Sequence, residues 1–363
     1  MSLLHQIAMT LIKNVGSVTA KHLLTHFGTP EAVFTASEAQ LMQVDGLGRL
    51  RASEIFRTNA LTLAAEQLEF LDKYEIKVLF YTEDHYPQRL KDCSDAPVLL
   101  YYKGNADLNH PRIVSIVGSR MASPYGQLLC QQLVTLLKDY DVLIISGLAH
   151  GIDVTAHRQS LLHHVPTVGV LGHGLDRIYP AIHRQTADAM LKNGGLLTEF
   201  PLNTIPEKTN FPKRNRVIAG LADVVVVVEA AIKGGALITA GIADSYNRDV
   251  FAFPGRTTDE YSQGCNFLIK TNRAGMISQA KDLVYYMGWE PVEALTSLTT
   301  QPVTVNLSGI ENILVGLLKQ TPLGIDELGL KAGIQQSKLA LHLLSLEMKG
   351  VLISLPGKIY QLI

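Results

Sequence analysis

The chain has 363 residues, with 32 Lys and Arg against 33 Asp and Glu, a formal net charge of −1. At 47% hydrophobic and 18% charged, it is long enough for two or three domains and a full core, which excludes a disordered or coiled-coil protein. The neutral balance excludes a surface that is basic throughout and leaves room for one concentrated cationic site. Cys93, Cys130 and Cys265 lie far apart with no C-x-x-C pair. A thiolate zinc module and a disulfide framework are therefore excluded, and a reducing cytoplasm is expected. No apolar run reaches the roughly 18 residues of a membrane span. The start of the chain lacks the cationic and apolar regions of a secretory signal.

Residues 1–80 read as a helical domain, with apolar side chains at helical spacing. Two Gly-centred turns interrupt them, Asn14–Val18 and Val44–Gly48. The second fits a helix-hairpin-helix turn, whose backbone N–H groups suit phosphate. Seven basic and eight acidic residues in this segment weigh against a strong DNA role.

Residues 81–289 alternate short apolar runs with amphipathic segments, which predicts β-α-β units and a doubly wound parallel sheet. Six strands are expected: Ile113–Val117, Val142–Ile145, Thr167–Leu171, Gly195–Thr198, Val224–Val228 and Val250–Ala252. Helices are expected at Tyr125–Tyr140, Ile152–His163, Ile182–Lys192, Arg214–Leu221 and Leu237–Asn247. Residues 290–309 read as a linker. Residues 310–363 read as three helices and a two-strand ribbon turning at Pro356-Gly357, the outline of a winged helix.

The chemistry concentrates in the turns after the strands. Gly118-Ser119-Arg120 follows the first strand, where a tight turn and helix-start N–H groups suit an anion. The G-x-G-x-x-G fingerprint is absent there, and Ser146-Gly147 closes the second strand without an acidic residue for a ribose. No nicotinamide cofactor is expected. Asp153 and His157 are four apart. Asp153 is expected to cap its helix and to accept a hydrogen bond from His157, and no metal is expected because a third ligand is missing. Tyr179-Pro180 is expected to start the next helix.

The densest basic cluster is Phe211-Pro212-Lys213-Arg214-Asn215-Arg216. It combines cations, a helix start and a ring on which a base can stack. Residues 81–290 hold 20 basic and 20 acidic residues, so the cluster is a local excess. Gly234-Gly235, ahead of Thr239, and Gly255 repeat the Gly-turn pattern after later strands. Together these turns predict a backbone-lined groove along one edge of the sheet.

Ser115–Arg120, Ser146–Asp153 with Ala156-His157, Tyr179-Pro180, Glu199–Pro201, Phe211–Arg216, Leu237–Thr239 and Phe253–Gly255 occur in an order that resembles the DprA/Smf family. These are DNA-processing proteins of bacterial natural transformation. The resemblance implies an extended Rossmann-like core between an N-terminal helix-hairpin-helix or sterile-alpha-motif-like domain and a C-terminal winged helix. It implies a non-enzymatic protein that binds single-stranded DNA, protects incoming strands and loads the RecA recombinase. It also implies a homodimer formed near Leu268 and Ile269, with no membrane insertion. DNA contacts are expected at Gly118, Ser119, Arg120, Gly147, His150, Phe211, Lys213, Arg214, Asn215, Arg216, Gly234, Gly235, Thr239 and Gly255. His150 stands where many members carry Arg, which removes a fixed charge. Gly234–Ala236 stands where Ser-Gly-Ser is frequent. The alternative is a Rossmann-like nucleotide hydrolase of the LOG type, on the faint likeness of Pro254–Glu260 to its Pro-Gly-Gly signature. A transcription factor reading rests on Gln335, Gln336, Lys338 and His342 of the winged helix alone.

Overall fold

Strands buried on both faces are continuous apolar runs, and four segments of this chain have that form. They are β3 (Ile113–Val117), β4 (Leu143–Ser146), β5 (Thr167–Val170) and β7 (Val224–Val227), buried at every position. The computed structural model describes residues 2–292, 307–319, 321–349, 351–355 and 359–362. Most of the expected linker and the Pro356-Gly357 turn lie outside the described residues. The described residues fall into two units, one up to residue 292 and one from residue 307.

In the first unit the sheet has nine strands in the order β1-β2-β6-β5-β4-β3-β7-β8-β9. Its remaining members are β1 (Lys77–Phe80), β2 (Leu99–Gly104), β6 (Gly194–Thr198), β8 (Asp249–Ala252) and β9 (Gly275–Met276). From β6 to β9 all neighbours are parallel, while β2 pairs antiparallel with both β1 and β6. The six expected strands are present. Sequence reading missed β1, β2 and β9, which add to the sheet edges. After β6 the chain crosses back to place β7 beside β3. That reversal opens a crevice at the carboxyl ends of β3 and β7, where ligands of open α/β sheets bind.

Six helices precede the sheet: α1 (Leu3–Leu11), α2 (Ser17–Phe27), α3 (Pro30–Thr35), α4 (Glu38–Leu41), α5 (Arg49–Phe56) and α6 (Ala60–Lys73). Their apolar faces, including Ile7, Leu23, Leu41 and Leu71, share one core with Phe80, Leu99 and Tyr101 of β1 and β2. The helical region therefore does not end in a separate body at residue 80. The strand that follows it opens the sheet.

The crossovers are α7 (Gln88–Lys91), α8 (Pro124–Leu137), α9 (Ile152–Leu162), α10 (Arg184–Met190), α11 (Asn210–Leu221), α12 (Gly235–Ser245), α13 (Gln263–Lys270) and α14 (Ala280–Tyr286). Helix α11 starts at Asn210, four residues ahead of expectation. Helix α13 buries Leu268 in the core at 1% exposure, and Ile269 packs partly buried on the same core. Leu268 is thus unavailable as a dimer contact. The apolar side chain that α13 exposes is Phe267.

The second unit carries α15 (Gly309–Leu318), α16 (Ile325–Ala332) and α17 (Gln336–Met348), with β10 (Leu323–Gly324), β11 (Leu352–Leu355) and β12 (Ile359–Leu362) in the order β10-β12-β11. Leu314, Leu328, Leu339, Leu343 and Leu346 fill its core. The arrangement is a winged helix. Its third helix exposes Leu341, Leu344 and Met348, and Gln336 donates to Asp326.

Candidate nucleic-acid interface

Gly118 leaves β3 because no side chain fits there: a Cβ would lie 2.5 Å from the Ile152 side chain. Ser119 N–H donates to Glu229 O at 2.6 Å, and Ile152 N–H to Ser119 O at 3.1 Å. The turn's amide at Ser119 is therefore spent on the protein, whereas the sequence suggested it for phosphate. Gly151 closes the same knot at φ +77°, and a Cβ there would stand 2.1 Å from Ser119 O. The result is a rigid loop that holds Arg120 outward and exposed.

Arg120 places its guanidinium carbon 5.4 Å from the centre of the Phe211 ring. Phe211 sits in the first turn of α11, with Arg214, Asn215 and Ile218 one turn further on the same face. These residues, with Gly118, Ser119, Met121, Lys208, Gly234, Gly235, Thr239 and Tyr261, line a groove of about 690 Å³ along the β3/β7 crevice. Gly234 caps α12 without a side-chain partner, and Gly235 faces open space. Close backbone approach by a strand is possible there. Thr239 lies in the wall, but its hydroxyl donates back to Gly235 O at 3.4 Å.

The basic cluster divides across α11. Helical spacing turns Lys213 and Arg216 away from Phe211 and Arg214. Both line a different cleft, beside Thr10, Ser17 and Phe200. Arg216 is paired there with Glu199 and with Asp95 O. Neither belongs to the groove, so the expectation that residues 213–216 act together is corrected. Gly255 is also displaced from it. It donates to Asn266 Oδ1 at 3.1 Å and accepts from Asn266 Nδ2 at 3.0 Å, in a cleft with Tyr125 and Arg256. Arg256–Glu260 is exposed chain in that neighbourhood, not the tight turn of the hydrolase signature.

Arg214 is buried at 5% exposure and donates to Val170 O at 2.5 Å. Gly147 makes room for it, since a Cβ there would meet both Arg214 Nη1 and Asp153 Oδ2 at 2.3 Å. Burial pushes the Asp153 carboxyl up, while Arg214 and the Ala149 N–H pull it back. Asp153 accepts from Ala149 N–H at 3.3 Å, and His157 does not bond to it. His157 lies 2.5 Å from Gly147 O and 2.7 Å from Thr167 Oγ1. A carbonyl only accepts, so Nε2 carries the proton and neutral Nδ1 accepts from the Thr167 hydroxyl. Burial lowers the His157 pKa to about 4. The expected Asp153–His157 pair is thus replaced by two separate anchors of the Gly147 loop. His150 stands at the rim, its ring centre 4.8 Å from that of His183.

Lys208 was missed because it precedes the obvious cluster, yet it lies exposed at the groove. Tyr179 was read only as a helix start. Tyr179 and Pro180 in fact lead into a short 3-10 turn, and the Tyr179 ring stands 6.2 Å from Phe211.

An extended Rossmann-like sheet, a helical region before it and a winged helix after it define a modular protein with a cation-lined crevice at its switch point. Residues 77–288 match the DNA recombination-mediator protein A family, residues 299–358 the DprA winged helix domain and residues 7–61 a helix-hairpin-helix motif. The chain belongs to the DprA/Smf family. It is 32% identical to Protein Smf of Synechocystis sp. over 98% of this chain and 97% of that one. It is 40% identical to DNA processing protein DprA of Streptococcus pneumoniae over 56% of this chain and 71% of that one. The solved structure of the Streptococcus pneumoniae protein aligns with a TM-score of 0.69 at 30% identity, covering 79% of this chain and 98% of that chain. DNA processing protein A from Helicobacter pylori, solved for its single-stranded DNA binding mode, aligns at 0.55 and 27% identity, over 60% of this chain and 98% of that one.

Proposed function

We propose that this protein binds single-stranded DNA in the β3/β7 groove, protects incoming transforming strands and loads RecA onto them in the cytoplasm. The observation that carries the reading is Arg120, exposed and stacked over Phe211, with Lys208 at the same groove. Two cations and an aromatic platform suit a phosphate chain with unpaired bases. The Helicobacter pylori relative, with its single-stranded DNA binding mode, supports the same ligand. Arg214 contributes charge from below and holds the loops, and the exposed cations meet phosphate.

The role is binding and hand-over, not turnover of a substrate. A homodimer belongs to this reading, with Phe267 and not Leu268 as the exposed apolar side chain of α13. Sedimentation velocity with and without oligo-dT tests the dimer. For the groove, Arg120→Glu is expected to weaken oligo-dT binding by at least about tenfold in a gel shift, with the far-ultraviolet spectrum unchanged. Binding should also fall steeply with salt, since each neutralised phosphate releases counterion. Unchanged affinity in Arg120→Glu and Lys208→Glu would remove the groove as the strand site.

A further inference from the structure

Behind the rim of the groove lies a second, smaller cavity of about 50 Å³. Its walls are apolar, from Leu148, Val170, Leu171 and Pro180, and the rings of Tyr179 and Phe211 stand at its mouth. The ring centres are 6.2 Å apart and the planes differ by 33°. A base stacked on both would need rings about 7 Å apart, twice the stacking repeat of about 3.4 Å. Tyr179 is 50% exposed, so a movement under about 1 Å and a rotation to parallel are open to it. Phe211 is held in place, because a Cβ on Gly172 would already touch its ring at 3.0 Å.

The cavity is too small for a whole base and large enough for the edge of one. Arg214 lines it. Its Nη1 is used on Val170 O, and its buried Nε has no hydrogen-bond partner. A buried unpaired donor is costly, and a carbonyl oxygen is the partner that satisfies it.

We propose that Tyr179 and Phe211 clamp a single base of the bound strand, with the base's carbonyl edge entering the cavity toward Arg214. The proposal rests on the strand-binding reading above. It adds a preference at one position: thymine or guanine, which present a carbonyl, over adenine, which presents an amine on the corresponding edge. The rest of the strand is held by phosphate contacts and is indifferent to sequence.

The test uses short strands of abasic nucleotides that carry no base, one thymine or one adenine, measured by fluorescence anisotropy with the full chain. The thymine strand is expected to bind about tenfold more tightly than the fully abasic one, within the range of one base–aromatic stack. The adenine strand should gain less. Tyr179→Ala should bring the thymine-to-abasic ratio close to one, and Tyr179→Phe should keep it. A ratio near one in the unmodified protein, or one unmoved by Tyr179→Ala, overturns the clamp while strand binding stands. Equal gains from thymine and adenine overturn the carbonyl-edge assignment. Failure to bind any strand removes the strand-binding reading, and the clamp with it.

Discussion

Lys208 and Lys213 are five residues apart and both exposed, yet only Lys208 lines the groove. Lys213 lies on the other face of α11, beside the Arg216–Glu199 pair. Charge reversal should separate them. Lys208→Glu is expected to weaken oligo-dT binding by about tenfold and to flatten its salt dependence by roughly one phosphate contact. Lys213→Glu should change affinity by less than about threefold, because it alters only the distant field. Titrations at two salt concentrations check both. Arg214 differs again. Its burial between Gly147, Asp153 and Val170 makes it a positioning residue first, although its sequence neighbours read as one cationic run.

The elements around the groove are locked to one another by backbone contacts that exclude side chains. Gly151 joins β4 to α9 at φ +77°, directly against Ser119 O. Alanine at that position combines a disfavoured backbone with a clash that neither loop can relieve. Gly151→Ala is expected to cost on the order of 2–4 kcal/mol, measured by denaturant unfolding, and to loosen the Arg120 loop. The core of this architecture was legible in the apolar runs. All six expected strands formed, because strands buried on both faces need continuous Val, Ile and Leu. The edge strands were less legible. Lys77–Phe80 has only four residues and Gly275–Met276 two, so each depends on its neighbour for hydrogen bonds more than on its own pattern. Leu268 was misplaced for a similar reason: the eight residues of α13 do not show which apolar side chain faces the core.

At the level of the whole molecule, the two units should respond to acid in different windows. In the first unit burial holds His157 at about 4, below its unperturbed 6.5. The unfolded chain then binds the extra proton, so stability falls as pH drops from about 6.5 toward 4. In the winged helix Glu311 accepts from Lys349, Ser345 and the Ser308 N–H, which lowers its pKa from 4.5 to about 2. A depressed carboxylate stabilises the fold above its unfolded pKa, and that contribution fades between about 4.5 and 2. Calorimetry of the full chain from pH 7 to 3 should show the first unit weakening earlier. Glu311→Gln should lower the winged-helix transition at neutral pH and remove much of its dependence below pH 4.5.

The neutral composition, the order of Gly-bearing turns and the alternation of apolar runs with helices were enough to determine a three-part chain, a doubly wound sheet and the DprA/Smf family. Those features depend on local periodicity and on residue order, which the sequence carries directly. Which charges face a strand was decided only in three dimensions. Helical rotation splits Phe211–Arg216 between two clefts, and the β3/β7 reversal brings Lys208, Arg120 and Phe211 together from separate loops. The balanced charge count thus becomes specific. The cations that matter are few, and their number on the groove is set by packing and not by their density in the sequence.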